Sequence, residues 1–233
     1  KEYHFLQTPL EESAELLTLS LDDEPAANIK GTRKEIKLKN GALIGEGLIE
    51  GQPALRFGKE SWVELPSLKI DSDTPFSIAM WVYHPEVNAN FIVAGQYDPD
   101  SDYRGWRVRV QERRATFQLT GEKPAGEKKS PSVDVSPIST KRLIAGKWTH
   151  LVMTYDGSGE RAGLRIYRNG EVVELTGSEF FEKIEGSIQT SLPLYLGRGV
   201  TKGRAGRGEP KVRYFSGGGI ADFRIFNRQI SVQ

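Results

Sequence analysis

Three carboxylates stand at alternating positions in one short stretch of the chain, at Asp98, Asp100 and Asp102. Hard oxygen ligands at this spacing suit Ca²⁺. An EF-hand loop is excluded, because Tyr103 occupies the position that needs glycine and Arg109 occupies the position that needs glutamate. The stretch therefore predicts either a Ca²⁺ site or a solvated acidic turn.

Aromatic and basic residues border this acidic stretch: Tyr97 precedes it, and Tyr103 and Arg104 follow it. Sugar sites combine aromatic ring faces with a planar guanidinium donor and carboxylate acceptors. Binding residues also often lie on loops that a rigid scaffold holds in place. We therefore expect these three residues to bind carbohydrate. The alternative is that Arg104 forms an ion pair with Asp100 or Asp102.

A second set of candidate binding residues lies within strands. Trp81 and His150 occupy the opposite side of their strands from the main apolar positions, as do Tyr83 and Trp148. If the two strands are neighbours, these rings form an aromatic patch that can stack on a sugar or a protein. The alternative is a second core layer covered by a loop.

Two further tryptophans have different predicted environments. Trp62 shares its strand face with Glu60 and Glu64, so we expect it to be the most exposed tryptophan and a candidate ligand contact. Trp106 alternates with arginines and shares its face with valines, which predicts a core position.

Motifs of hydrolytic enzymes are missing from the sequence. Glycoside hydrolysis needs two carboxylates that flank the scissile bond, and no Glu-x-Asp-x-x-Glu run supplies them along a strand. There is no Gly-x-Ser-x-Gly elbow and no phosphate-binding P-loop. The histidines His4, His84 and His150 stand far apart, without metal-ligand spacing. The sequence therefore predicts a protein that is not an enzyme.

Charge is nearly balanced overall but is unevenly placed. The net charge of +1 argues against a general role on nucleic acid or on a membrane surface. A glycine-rich stretch at residues 198–213 is nevertheless basic, with six Lys and Arg residues and one acid, Glu209. This stretch predicts either a contact with acidic polysaccharide or nucleic acid, or a solvated loop. It lacks the interleaved aromatic residues that binding to single strands would need.

Composition sets further limits. The chain has 233 residues and no cysteine, which excludes disulfides and thiolate chemistry. No apolar run is long enough to cross a bilayer, and residues 1–13 do not have the pattern of a signal peptide. We predict one domain over residues 1–233, in which residues 1–14 are a linker or an edge strand.

Strand patterns fill most of the chain, and the best-defined one begins at Trp148. Side chains alternate strictly from Trp148 to Tyr155, which is typical of a strand. Asn169-Gly170 then predicts a two-residue hairpin that places Arg168 opposite Glu171 and Tyr167 opposite Val172. Residues 26–44 are expected to be a long connection with one short strand, and residues 121–142 and 197–211 are expected to be loops. Residues 184–188 are expected to form a strand and residues 178–182 a helical turn. Many short strands with little helix predict an all-β, two-sheet antiparallel sandwich.

Several motifs resemble the LamG-like (laminin G/concanavalin A-like) jelly-roll family. They are Gly-x-Trp-x-His with Thr-Tyr-Asp-Gly at residues 146–157, Ile-Tyr-Arg-Asn-Gly at 166–170, Pro-Phe-Ser-Ile-Ala-Met-Trp-Val at 75–82, Leu-Tyr-Leu-Gly-Arg at 194–198, and the segment 219–231. The match covers about residues 45–233 in the family's order. Residues 103–106 further resemble versions found in multidomain secreted proteins of planctomycete bacteria, beside cytochrome c-like domains.

The resemblance implies a jelly roll that acts as a non-catalytic recognition module in a larger exported protein, either periplasmic or on the cell surface. Carbohydrate or polysaccharide is the implied ligand, and other domains of the parent chain are further implied partners. The alternatives are a protein-interaction or spacer domain and, third, a glycoside hydrolase. LamG-like domains often bind Ca²⁺ in rim loops, although Ala221 replaces the first of the two acids that many members carry in the closing strand, leaving Asp222.

Overall fold

The computed structural model describes residues 14–48, 50–85, 90–122, 132–135, 142–175, 183–201 and 209–231. They form antiparallel β-sheets that pack as a sandwich, so the all-β prediction is confirmed. Helix is represented by short segments such as the 3₁₀ turn Arg161–Gly163. Within these residues, no helix is long and apolar enough to span a membrane.

The strands in chain order are β1 (Glu15–Ser20), β2 (Ala26–Ile29), β3 (Thr32–Glu35), β4 (Lys37–Lys39), β5 (Leu43–Glu46), β6 (Pro53–Arg56), β7 (Trp62–Leu65), β8 (Phe76–Tyr83), β9 (Asn90–Asp98), β10 (Arg104–Gln111), β11 (Arg114–Thr120), β12 (Ser132–Val135), β13 (Trp148–Tyr155), β14 (Leu164–Arg168), β15 (Glu171–Val172), β16 (Leu194–Leu196), β17 (Arg198–Thr201), β18 (Lys211–Tyr214) and β19 (Gly219–Phe226).

Two sheets and one strand pair contain these strands. The terminal sheet, named for the first and last strands that pair within it, runs β15-β14-β13-β8-β19-β1-β2-β3, with β6 on β19 and β5 on β6. The central sheet runs β12-β11-β10-β9-β16-β7-β4. Strands β17 and β18 form a separate antiparallel pair, the β17–β18 ribbon.

The main apolar core lies between the sheets and draws side chains from both, and a small second cluster of Ala79, Val152 and Phe226 is buried separately on the terminal sheet. Phe76 of the terminal sheet, for example, packs against Trp106 and Phe117 of the central sheet, at centroid distances of 6.3 and 5.7 Å. Trp106 is 2% exposed, as its alternation with arginines predicts. Because each strand turns every second side chain inward, the remaining side chains lie on two outer faces that point in opposite directions.

The predicted hairpin after β14 is confirmed. Arg168 pairs with Glu171 and Tyr167 with Val172. Asn169 and Gly170 have φ angles of 51° and 83°, the left-handed values that a type I′ turn requires. Strand β13 pairs with β14 on one side and with β8 on the other, so this hairpin fixes the register at one end of the terminal sheet.

The Thr-Tyr-Asp-Gly motif closes the turn that follows β13. Buried Tyr155 donates its hydroxyl hydrogen to the Ser72 carbonyl and accepts a hydrogen bond of 2.6 Å from the Gly159 backbone N–H. Asp156 accepts a hydrogen bond of 2.9 Å from the Ser158 N–H. The motif therefore ties the loop before β8 to the loop after β13.

The β17–β18 ribbon lies against β9 of the central sheet. A Cβ atom added at Gly199 would collide with the Ile92 side chain and would lie 2.7 Å from the Tyr97 hydroxyl oxygen. That hydroxyl accepts a hydrogen bond of 2.7 Å from the Val200 N–H and lies 3.3 Å from the Val200 carbonyl. The missing side chain at Gly199 is what allows the ribbon to approach so closely.

Several loop and strand predictions were wrong. Residues 26–44 contain three complete strands and the start of a fourth, missed because the side chains of β3 are all exposed and give no apolar pattern. Residues 184–188 do not form a strand: Ile184 and Ile188 are buried from an irregular segment in which the Ile188 N–H donates to Asp71, at 3.0 Å. The expected loops also contain β12 and β17.

Some predictions fall outside the described residues. They are the linker or edge strand at residues 1–13, the helical turn at 178–182, and the parts of the expected loops at 123–131, 136–141 and 202–208.

We expect the substitution Tyr155→Phe to lower the free energy of unfolding by about 1–2 kcal/mol, because it leaves the Gly159 N–H and the Ser72 carbonyl without their shared partner. Denaturant titration measures the change. The matched control is Tyr167→Phe, since this half-buried tyrosine has no hydroxyl hydrogen bond within the described part of the chain. Equal stability losses in the two variants would contradict the proposed role of Tyr155.

The same hydroxyl predicts a pH dependence. Burial raises the pKa of Tyr155 from its ordinary value of 10.0 to about 12. Because the folded state holds this proton more tightly than the unfolded state, its contribution is complete below pH 10 and is lost as pH rises through the folded pKa. We therefore expect the stability difference between wild type and Tyr155→Phe to shrink between about pH 10 and 12 in titrations repeated across this range.

We expect Gly199→Ala to destabilise the protein by about 1–3 kcal/mol, because its new methyl group must push the ribbon away from β9. Gly58→Ala is the control, since a Cβ atom there would meet no neighbour closer than 3.7 Å. Both changes lower the entropy of the unfolded chain alike. A Gly199→Ala variant as stable as Gly58→Ala would show that the ribbon does not depend on this contact.

Candidate ligand-binding site

The structure divides the predicted ligand residues between the two outer faces of the sandwich. Tyr97, Tyr103, Arg104 and Trp62 belong to the central sheet or to the turn beside it. Trp81 and His150 lie opposite each other in the terminal sheet. Since these outer faces point away from each other, the six residues cannot form one site.

A continuous row of paired residues crosses the outer face of the central sheet. Strand pairing links them in the order Lys37, Glu64, Tyr195, Gly95, Arg107 and Gln118. Gly95 has no side chain in this row, and the side chains of its neighbours occupy the space. A Cβ atom added at Gly95 would lie only 3.0 Å from both Arg107 Cβ and Tyr97 Cδ1. Large side chains from neighbouring positions can therefore lie across the middle of the face.

Arg107 lies at the centre of this face and is only 6% exposed. Its guanidinium carbon is 4.2 Å from the centroid of the Tyr103 ring and 5.3 Å from that of Tyr97. Its Nε donates a hydrogen bond of 2.7 Å to Gln118 Oε1. The alternation around Trp106 placed Arg107 on the solvent side of its strand, and nothing in the local sequence indicated that two tyrosines would cover it.

Tyr97 has a different role from the one predicted. Its ring is 4% exposed, and burial raises the pKa of its hydroxyl, which is bonded to Val200. Tyr97 therefore supports Arg107 and anchors the ribbon, and it does not offer an open ring face.

A second arginine on aromatic rings lies at the other side of this face. The guanidinium carbon of Arg198 is 5.1 Å from the ring centroids of both Trp62 and Tyr195. Trp62 also contacts Tyr214, with a centroid distance of 6.0 Å. Trp62, which was predicted to be the most exposed tryptophan, is half-buried, as are Trp81 and Trp148, and the ribbon brings Arg198 and Tyr214 against its ring.

The acidic turn joins β9 to β10 at the rim of the same face. Asp98 accepts hydrogen bonds from the Asp100 N–H, at 2.9 Å, and from the Ser101 hydroxyl, at 2.7 Å. Burial opposes ionisation, but these bonds keep the pKa of Asp98 below its usual 3.8. Asp102 and Tyr103 have left-handed φ angles of 51° and 68°, which reverse the chain and aim the Tyr103 ring at Arg107.

The carboxylate of Asp98 stabilises the acidic turn. Both carboxylate oxygens of Asp98 are engaged within the turn. In the described part of the chain, no group of three or more acidic, histidine or cysteine side chains is placed to hold a metal ion. Binding of Ca²⁺ by Asp98, Asp100 and Asp102 stays a prediction. The alternative prediction for Arg104 was an ion pair with Asp100 or Asp102. In the structure, a terminal guanidinium nitrogen of Arg104 lies 3.6 Å from Glu122 Oε1.

The predicted aromatic patch lies on the outer face of the terminal sheet. Ring centroids are 5.0 Å apart between Trp81 and His150, and 5.6 Å apart between Tyr83 and Trp148. Arg56 lies over the second pair, 4.8 Å from the Tyr83 ring. All four rings are half-buried.

Charges beside this patch are paired within the protein. Burial lowers the pKa of His150, and the nearby charge of Asp222 opposes that shift. Arg224 donates to Asp222, at 2.6 Å, and to Glu15, at 3.1 Å. Asp222 has a left-handed φ of 47° where the pairing register of β19 shifts, so a β-bulge places it beside Arg224.

Comparison with solved structures finds binding domains of clostridial toxins. The binding domain of Paraclostridial Mosquitocidal Protein 1 superposes with a TM-score of 0.65 at 12% identity, covering 94% of this chain and 50% of that one. The botulinum neurotoxin serotype G binding domain gives a TM-score of 0.60 at 18% identity, covering 94% and 49%. The chain spans about half the length of these structures, and at such low identity the superpositions show a shared fold alone.

Sequence comparison points to the same fold. No curated protein matches the chain. The family model described as "Concanavalin A-like lectin/glucanases superfamily", of laminin G type, matches residues 57–233, which is most of the chain and includes every strand from β7 onward. The chain therefore belongs to the concanavalin A-like lectin/glucanases superfamily.

Proposed function

We propose that this chain is a non-catalytic carbohydrate-binding module of a larger exported protein, and that it binds through the outer face of its central sheet. The observation that carries the proposal is the position of Arg198. Its guanidinium is held over Trp62 and Tyr195, and its donors have no hydrogen-bond or carboxylate partner among the described residues. A fixed donor fork without a protein acceptor is suited to the oxygen atoms of a sugar.

The surrounding side chains support a polar ligand. Outward positions on β10 and β11 carry amides, hydroxyls and guanidinium groups, namely Arg107, Arg109, Gln111, Arg114, Thr116, Gln118 and Thr120. Such groups donate to and accept from sugar hydroxyls, while half-buried rings exclude water from part of the face. The toxin structures of the same fold are themselves binding domains, and one is described as a complex with SialylT.

Hydrolysis is less favoured than binding. A glycosidase needs a general acid and a second carboxylate that face each other across the substrate. The outward positions of β10 and β11 hold no carboxylate. Glu64 of β7 forms an ion pair with Lys37, at 2.8 Å. On the other face, Asp222 and Glu15 both bind Arg224, which lies between them. The superfamily does include glucanases, so catalysis is tested together with binding.

A second candidate function is docking of a protein, such as another domain of the parent chain. The aromatic patch on the terminal sheet favours it, since it contains four half-buried rings, and Arg56 lies over two of them. Leu43, which is paired with Arg56, is 53% exposed. Aromatic residues and arginine are enriched where proteins meet.

We expect Trp62→Ala to weaken glycan binding at least about tenfold, because Arg198 loses its support. Trp81→Ala is the matched control, since it removes a half-buried tryptophan from the opposite face and should leave affinity unchanged. Titration against a panel of soluble polysaccharides measures both affinities. Loss of binding only in Trp81→Ala would move the site to the terminal sheet, and absence of any binding by wild type would favour the docking role.

The same panel of polysaccharides tests whether the protein hydrolyses them and whether binding depends on Ca²⁺. Release of reducing ends during the titration would support the hydrolase. The acidic turn would be supported as a metal site if wild type loses binding in chelator and recovers it with millimolar Ca²⁺. A variant with Asp100 and Asp102 changed to Asn should then show no recovery. Unchanged binding in chelator would remove Ca²⁺ from the proposal.

A further inference from the structure

The outer face of the central sheet has an excess of arginines without acidic partners. Arg109, Arg114 and Arg198 have no carboxylate within ion-pair distance in the described part of the chain, and all three are half-buried. Arg109 makes one long hydrogen bond, 3.4 Å to Gln111. This is unusual because a partly desolvated charge without a counter-ion is costly.

Some arginines of the terminal sheet have carboxylate partners. Arg224 binds Asp222 and Glu15, and Arg33 binds Asp22 at 3.2 Å. Arg56 of the same sheet lies over Tyr83 and Trp148 and has no carboxylate partner among the described residues. On the central sheet, the outward positions of β10 and β11 carry only neutral side chains between their arginines.

Several acids border the central face. Glu64 forms an ion pair with Lys37, Glu122 Oε1 lies 3.6 Å from an Arg104 nitrogen, and Asp98 is hydrogen-bonded within the rim turn that also contains Asp100 and Asp102. Asp134 of β12 occupies the position paired with Gln118. Among the described side chains, no acid pairs with Arg109, Arg114 or Arg198, so these three guanidinium groups leave positive charge on the face.

Aromatic rings on this face contact guanidinium groups. Arg198 lies over Trp62 and Tyr195, and the Tyr103 ring covers the buried Arg107. A ligand that stacks on the ring faces beneath Arg198, such as a neutral sugar or a nucleobase, would have to displace that arginine. A ligand that carries anionic groups would meet the guanidinium directly and could form two parallel hydrogen bonds with it.

We propose, building on the carbohydrate function above, that the ligand is an acidic polysaccharide whose carboxylate or sulfate groups bind Arg198 and Arg109. The charge of the ligand then supplies the counter-ions that the protein lacks on this face. Aromatic support keeps the Arg198 guanidinium in place, so less side-chain freedom is lost on binding at this position.

The experiment titrates the whole chain with polygalacturonate, dextran sulfate, neutral dextran and a single-stranded DNA oligonucleotide. We expect binding to one or both acidic polysaccharides, weakening about tenfold or more from roughly 50 to 200 mM salt. Arg198→Gln and Arg109→Gln should each weaken it about tenfold, the effect of losing one charge-assisted contact. Arg33→Gln is the control: it removes the same charge from the terminal sheet and should bind like wild type.

The outcomes separate this inference from the broader proposal. Binding of neutral dextran alone, or affinity that is unchanged in both arginine variants, would overturn the acidic class and leave a carbohydrate module in place. Binding of none of the polysaccharides would overturn both. Equal or tighter binding of the oligonucleotide would identify nucleic acid as the partner. If Arg198→Gln fails to fold, Arg109→Gln decides, since its half-exposed side chain packs on no aromatic ring.

Discussion

A β-strand can bury only every second side chain, and the architecture of this protein follows from that limit. Two sheets turn their apolar positions toward each other and enclose the main core. The remaining positions of each sheet lie on its outer face, and the two outer faces point in opposite directions. Phe76, Trp106 and Phe117 meet in the core, whereas Arg107 and Trp81, each next to a core residue in sequence, end on opposite sides of the molecule.

Arginines on the outer faces are held either by carboxylates or by aromatic rings, and those held by rings carry the functional argument. On the terminal sheet, a bulge at Asp222 brings a carboxylate to Arg224, so that charge is balanced within the fold, whereas Arg56 lies over Tyr83 and Trp148. On the central sheet, Arg107 and Arg198 are supported by aromatic rings, and the neighbouring outward positions are neutral. Cation–π contact fixes a guanidinium without neutralising it, which leaves its charge for a ligand.

The residues that identify the family are not the residues of the proposed site. Tyr155 ties two loops together, and Asn169-Gly170 sets the register of a hairpin. By contrast, Arg107, Arg109 and Arg198 contribute nothing to the apolar core. A fold of this kind can therefore keep its structural motifs while the outer face changes, which is why membership of the superfamily does not by itself define a ligand.

The sequence alone determined the features that depend on local pattern: the all-β class, the strand alternation around Trp148 and Trp106, the hairpin at Asn169-Gly170 and the absence of hydrolase motifs. It also indicated that Trp81, Tyr83, Trp148 and His150 would meet if their strands were neighbours, which they are. Strands such as β3 escaped notice because exposed side chains give no apolar signal. Only the tertiary structure decided that Tyr97 is buried, that Trp62 lies under Arg198, and that the six predicted ligand residues are divided between two faces. These outcomes depend on which strands become neighbours and on where the β17–β18 ribbon packs, and contacts between segments far apart in sequence leave no periodic pattern in either one.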